Sequence, residues 1–196
     1  MKYPFLDFKT VNPVPDDLVE RFRGRVEDAI IEMWQTYGFG TAFKGFLKVI
    51  NPEEFMTKLE HVLPREDLIP LFATGMGDLI VWDGNGYTSM IMRKGFHQAL
   101  GRELKHVTLY LAHKDVYSDA FEPGSENNEL LEDVFVWSPY PEAVAEYGEP
   151  AYDECFGYTP LLVLGGPQKV ENLKKVKLIE HIALITDFAG VIPYWR

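Results

Sequence analysis

Apolar side chains recur at steps of three and four through Leu18, Phe22, Val26, Ile30, Met33 and Tyr37, which places them on one stripe of a helix. Asp16 or Asp17, after Pro15, caps the free N–H groups at its start, and Gly38 and Gly40 end it. Residues 46–50 read as a short strand. Asn51-Pro52-Glu53-Glu54 then opens a second helix, with proline in the first turn and acids at the positive end of the dipole. Phe55, Met56, Leu59 and Val62 form its apolar side, and it stops at Pro64. The clearest β pattern follows, in residues 68–74, 79–82 and 87–92. Gly75-Met76-Gly77-Asp78 and Asp83-Gly84-Asn85-Gly86 separate these runs and tolerate the positive φ of tight turns, so they predict an antiparallel meander. Residues 107–111 and 161–164 are further strand candidates. A final helix is predicted over 172–188, with Leu173, Val176, Ile179, Ile182 and Ile185 on a wide buried face. No internal repeat interrupts the chain. The sum is an α+β fold, an antiparallel or mixed sheet packed with N-terminal and C-terminal helices.

Composition narrows the class. With 46% apolar and 14% aromatic residues the 196-residue chain is too rich in core formers to stay unfolded. At this length it buries roughly 70% of its extended surface. Its single cysteine, Cys155, excludes an internal disulfide and a multi-cysteine zinc site, and suggests a reducing compartment. No apolar run approaches the ~20 residues of a membrane helix, and no signal-peptide pattern follows Met1. A soluble, cytoplasmic protein with no membrane association is expected.

Charge changes the picture more. The chain carries 19 Lys+Arg against 30 Asp+Glu, a net charge of −11, and the excess is concentrated. Residues 115–154 hold twelve acids and no Lys, Arg or His, so this stretch contributes −12 and the rest of the chain +1. Tyr117, Phe121, Leu130, Leu131, Val134, Phe135, Val136, Trp137, Tyr140 and Tyr147 are interleaved with those acids. Carboxylates among aromatic anchors suit a surface that grips a cationic partner, and they oppose direct binding of nucleic acid. On this reading the contact residues are Asp115, Asp119, Glu122, Glu126, Glu129, Glu132, Asp133, Trp137 and Tyr140. Two plainer explanations stand beside it. The acids form a solvated face, or they are neutralised internally by Arg93, Lys94, Arg102, Lys105 and Lys114.

Catalytic chemistry is hard to find. His61, His97, His106, His113 and His181 include no i, i+4 pair of the helical zinc-site kind, and His181 reads as a core residue. The glycine pairs at 75–77 and 84–86 open no predicted helix and lack a following Gly-Lys-Ser/Thr, so they read as hairpin turns rather than phosphate loops. No Gly-x-Ser-x-Gly elbow occurs, and Cys155 has no adjacent base. The dyads at 16–17 and 53–54 are explained by helix dipoles. The chain is therefore expected to be no enzyme and to need no cofactor or metal.

The strings themselves resemble a family. Gly45-Phe46-Leu47-Lys48-Val49-Ile50-Asn51-Pro52-Glu53-Glu54-Phe55 and Phe72-Ala73-Thr74-Gly75-Met76-Gly77-Asp78-Leu79-Ile80-Val81-Trp82 are similar to the GAD-like domain. Tyr152-Asp153-Glu154-Cys155-Phe156-Gly157-Tyr158-Thr159-Pro160, residues 162–166 and residues 171–181 resemble the C-terminal region that usually follows it. That pairing is typical of type VI secretion immunity proteins that protect bacteria from DNase effectors, and residues 69–82 are also similar to the SMI1/KNR4-type immunity superfamily. The resemblance implies three parts: a GAD-like N-terminal part at 1–110, an acidic connecting segment at 111–146 and an immunity-type C-terminal part at 147–196, packed as one unit. It further implies a cognate protein toxin, a nuclease, as partner. The alternative is a non-catalytic regulatory or scaffolding module that binds an endogenous protein. Oligomeric state is left open.

Overall fold

Seven strands follow one another in space in the same order as in the chain, each antiparallel to the next. They are β1 (Lys9–Asn12), β2 (Phe39–Ala42), β3 (Leu47–Val49), β4 (Ile69–Thr74), β5 (Leu79–Trp82), β6 (Tyr87–Ile91) and β7 (Phe96–Gly101). A separate antiparallel ribbon pairs β8 (Glu154–Tyr158) with β9 (Leu173–Lys177). The computed structural model describes residues 7–112 and 139–194.

Every residue of β2 to β6 is buried, which requires cover on both faces. The period of two sorts the side chains. Ile80 and Trp82 of β5 join one core with Tyr87 and Ile91 of β6, while Leu79, Val81 and Met90 join the other. The first core is closed by α1 (Asp16–Phe22), α2 (Asp28–Tyr37) and α5 (Tyr140–Tyr147). The second is closed by α3 (Pro52–Lys58) and α6 (Leu178–Ala189). The result is an α+β molecule of three layers with the meander in the middle. Both glycine-containing separators are the hairpin turns expected of them.

Four expectations are corrected. The stripe from Leu18 to Tyr37 is two helices, because the chain leaves α1 at Arg23 and Gly24 takes φ +75°. The indole of Trp82 donates to the Arg25 carbonyl at 3.0 Å and pins the break. Residues 107–111 are not a strand but part of α4 (Leu104–Ala112), whose first N–H groups find an acceptor when Leu104 N donates to Glu27 Oε2 at 2.8 Å. The neighbouring strand is instead β7, which lacks a period-two signature. Residues 161–164 hold a 3-10 turn, Leu162–Leu164, closed by Gly165 in the left-handed region. The predicted terminal helix begins six residues late: Asn172 ends a 3-10 turn, Leu173–Lys177 are β9, paired with β8 in strict antiparallel register, and the helix starts at Leu178.

The C-terminal elements are built into the same cores as the meander. Phe156 N donates to the Gly75 carbonyl at 2.7 Å, joining β8 to the β4–β5 turn. Phe156 packs in the first core and Cys155, its neighbour, in the second.

Candidate functional site

The acidic stretch enters from α4 and re-enters the described chain at Pro139, immediately before α5. Tyr140 is the fastening. It is 1% exposed, its hydroxyl donates to the Lys44 carbonyl at 2.8 Å, and its ring meets Phe46 edge-on at 4.9 Å and Phe156 at 5.6 Å. A β-carbon on Gly75 would lie 2.3 Å from Tyr140 Cε2, so only glycine leaves room for this ring. Tyr140 was expected to touch a partner; the structure instead makes it a core anchor, because ring burial in a preformed glycine-floored slot outweighs display at the surface. Burial also pushes its phenol pKa up. Asp115, Asp119, Glu122, Glu126, Glu129, Glu132, Asp133 and Trp137 lie outside the described residues.

The five acids of the stretch that are described divide into two groups. Glu142 and Glu146, on α5, are not neutralised by any described cation; Glu142 is exposed and so is Glu146. Glu149 accepts from Lys9 Nζ at 2.6 Å, and Asp153 accepts from Lys177 Nζ at 2.5 Å, with Glu154 3.9 Å from the same ammonium. Hydrogen bonding to Lys177 lowers the Asp153 carboxyl pKa and Glu149 raises that of Lys9. Solvation and internal pairing thus both occur here. The pairing cations are Lys9 and Lys177, whereas Arg93 pairs with Asp78 and Lys105 with Glu103. Exposed pairs of this kind contribute little to stability.

On β3, opposite Ala73 of β4, sits a buried polar group that the sequence did not announce. Lys48 is fully buried, with Nζ donating to the Ala151 carbonyl at 2.7 Å; burial lowers its pKa to about 8. Its only signal was a lone lysine inside the apolar run of residues 46–50. Cys155 Sγ and His181 Cδ2 each stand 3.3 Å from where a Gly77 β-carbon would be, and the His181 ring covers Gly157, whose β-carbon would fall 2.4 Å from Cε1. Burial pushes the Cys155 thiol up and brings His181 down to about 4. A thiolate–imidazolium nucleophile needs both shifts reversed, so this pair is a neutral packing element. Asp78 and Arg93 form a buried ion pair between the β4–β5 turn and the 3-10 turn Met92–Lys94, and burial raises the Asp78 carboxyl despite its partner.

A shallow cleft of about 260 Å³ runs between α3 and the start of α6, beside Tyr152. Its charged rim is satisfied by its own pairs, Glu54 with Lys58 and Asp153 with Lys177, and Tyr152 donates to the Val49 carbonyl at 3.1 Å. Among the described residues no group of three or more His, Cys, Asp or Glu could hold a metal ion, and no helix is long and apolar enough to cross a membrane.

Residues 5–94 match the family model of the GAD-like domain, and residues 117–189 match that of the T6SS immunity protein Tdi1, C-terminal. No curated protein matches the sequence. A solved structure, the crystal structure of Atu4351 from Agrobacterium tumefaciens, is similar with a TM-score of 0.67 at 14% identity, over 96% of this chain and 88% of that one. At that identity the likeness concerns the fold.

Proposed function

We propose that this chain, which joins a GAD-like domain to a Tdi1-type immunity C-terminal domain, neutralises a cognate nuclease toxin of a type VI secretion system by binding it in the cytoplasm. The immunity-type role follows from the family; the nuclease target, the acidic contact surface and the absence of turnover are our reading.

The observation that carries it is the concentration of charge. A nuclease presents a basic groove to phosphates, and a stretch of twelve acids within forty residues, set among aromatic side chains and with only Glu149, Asp153 and Glu154 of its described acids against lysines, competes for that groove. Opposite potentials steer the encounter and raise the association rate. Asp115, Asp119, Glu122, Glu126, Glu129, Glu132, Asp133 and Trp137 supply the contacts on this reading, with Glu142 and Glu146 extending the field along α5. Tyr140 serves as the anchor at the C-terminal end of the stretch, its ring locked over Gly75. Binding requires no catalytic group, which suits a molecule whose buried thiol and imidazole are both held neutral.

The test is co-purification with the product of the neighbouring gene, followed by its nuclease activity on plasmid DNA. The two proteins are expected to co-elute and the nuclease to lose activity at equimolar ratio. Raising salt, or changing Glu129, Glu132 and Asp133 together to Lys, should weaken the complex by at least about tenfold. Affinity unchanged under both treatments rejects the electrostatic mechanism, and an active nuclease in the complex rejects inhibition.

A further inference from the structure

Among the described residues seven large apolar side chains are strongly exposed, and five of them lie beyond residue 160: Val163, Leu164, Leu184, Phe188 and Val191, each 43–56% accessible. They belong to adjoining elements. The turn Leu162–Leu164 packs against α6, which carries Leu184 and Phe188, and Val191 follows the end of that helix.

The outward positions of α6 are Glu180, Leu184, Asp187 and Phe188, spaced to lie on one side. The helix contains no Lys or Arg, and its histidine is turned inward and neutral. Its exposed side is therefore apolar and anionic together. Glu180 also feels Lys58 and Lys177, which leaves Asp187 as the acid set among the apolar residues. Lys94, on the adjoining turn Met92–Lys94, is half-buried and engaged in contacts of its own.

Area and charge together choose the occupant. Five half-exposed side chains present roughly 400 Å², about half of the roughly 800 Å² per partner that a stable interface requires. The remainder must be polar, and here the polar groups on the helix are acids. A second copy would set acid against acid across the two-fold, between molecules of net charge −11 each. A cationic protein meets both needs, with an apolar residue entering between Leu164, Leu184 and Phe188 and Lys or Arg facing Asp187.

We propose that this side of α6, with the 162–164 turn, is a second docking face for the toxin, engaging a basic rim around an apolar anchor. The proposal rests on the immunity reading above and adds to it a surface outside the acidic stretch.

The experiment compares the wild-type chain with the double variant Leu164→Ser, Phe188→Ser and the single variant Asp187→Lys, using the neighbouring-gene toxin as ligand. The double variant is expected to keep the wild-type melting temperature and lose at least about tenfold in affinity. Asp187→Lys is expected to slow association about threefold at 50 mM salt, and less at 500 mM. A photo-crosslinking residue at position 188 should trap the toxin, and one at Val11, on the edge strand β1, should not. Affinities within twofold of wild type for both variants, with no crosslink from 188, overturn the docking face while leaving toxin binding intact. No binding by the wild-type chain overturns the immunity reading and this face with it. A wild-type dimer in sedimentation that the double variant converts to monomer overturns the choice of occupant in favour of a second copy.

Discussion

Gly75 and Tyr140 illustrate how far single residues set the shape of the surface. With 2.3 Å between a would-be β-carbon and Tyr140 Cε2, Gly75→Ala must displace the ring that holds α5. The expected cost is about 1–3 kcal/mol, read as a lower urea midpoint at unchanged m-value. Tyr140→Phe keeps the ring and loses only the bond to the Lys44 carbonyl, so about 1 kcal/mol is expected. A larger loss from Gly75→Ala than from Tyr140→Phe would establish that the ring, not its hydroxyl, is the anchor. His181 gives the pH behaviour. Its folded pKa, near 4, lies below the ordinary 6.5, so between these values the unfolded chain binds more protons than the folded one and stability falls as pH falls. Between pH 7 and pH 4.5 about 2–3 kcal/mol of stability is lost from this group. Urea titrations at the two pH values should show the loss, and His181→Asn should flatten it. Lys48 acts in the alkaline range with the same sign, gaining stability as pH rises from about 8 toward 10.5.

At the scale of elements, the short helices depend on their ends more than on their length. α3 has seven residues and starts where Asn51 Oδ1 accepts from Glu53 N at 3.1 Å. Asn51→Ala should cost about 1 kcal/mol in thermal or denaturant unfolding. This start was legible because Asn-Pro-Glu-Glu places a capping side chain, a fixed φ and two favourable charges together. α4 was not legible. Glu27, 77 residues before Leu104, supplies the carboxylate that receives both Leu104 N and the Tyr87 hydroxyl, the latter at 2.6 Å. Glu27→Ala removes both acceptor contacts and should destabilise the protein by about 2 kcal/mol, with amide exchange rising first at the start of α4. The β9–α6 boundary failed for a related reason. Residues 172–188 carry apolar residues at helical spacing, yet the first part pairs with β8, and pairing over long sequence distance overrides local periodicity.

At the scale of the whole molecule, the proposed function makes net charge the governor of encounter. A chain of −11 meeting a basic nuclease should associate at a rate that falls steeply between 50 and 500 mM salt, by about tenfold or more, while dissociation changes little. Stopped-flow association at several salt concentrations checks this, and a flat salt dependence would count against steering. The two proposed faces also couple to one scaffold. The acidic stretch returns to the body at a tyrosine set against the β4–β5 turn, and α6 presses its inner side onto the opposite layer of the same sheet. Loss of either face alone should weaken the complex without unfolding the chain.

What the chain by itself determined is what depends on neighbouring residues. The meander of β4, β5 and β6, with its glycine turns, the capped start of α3, the charge concentrated between 115 and 154 and the family likeness are all local patterns. Tertiary structure decided the rest: that Tyr140 becomes a peg in the core, that Lys48 is buried with its ammonium on the Ala151 carbonyl, that the 162–164 turn packs against the helix bearing Phe188, and that strand gives way to helix only after Lys177. Burial and long-range pairing are properties of surfaces brought together from distant positions, and their free energy has no expression in the sequence until those surfaces meet.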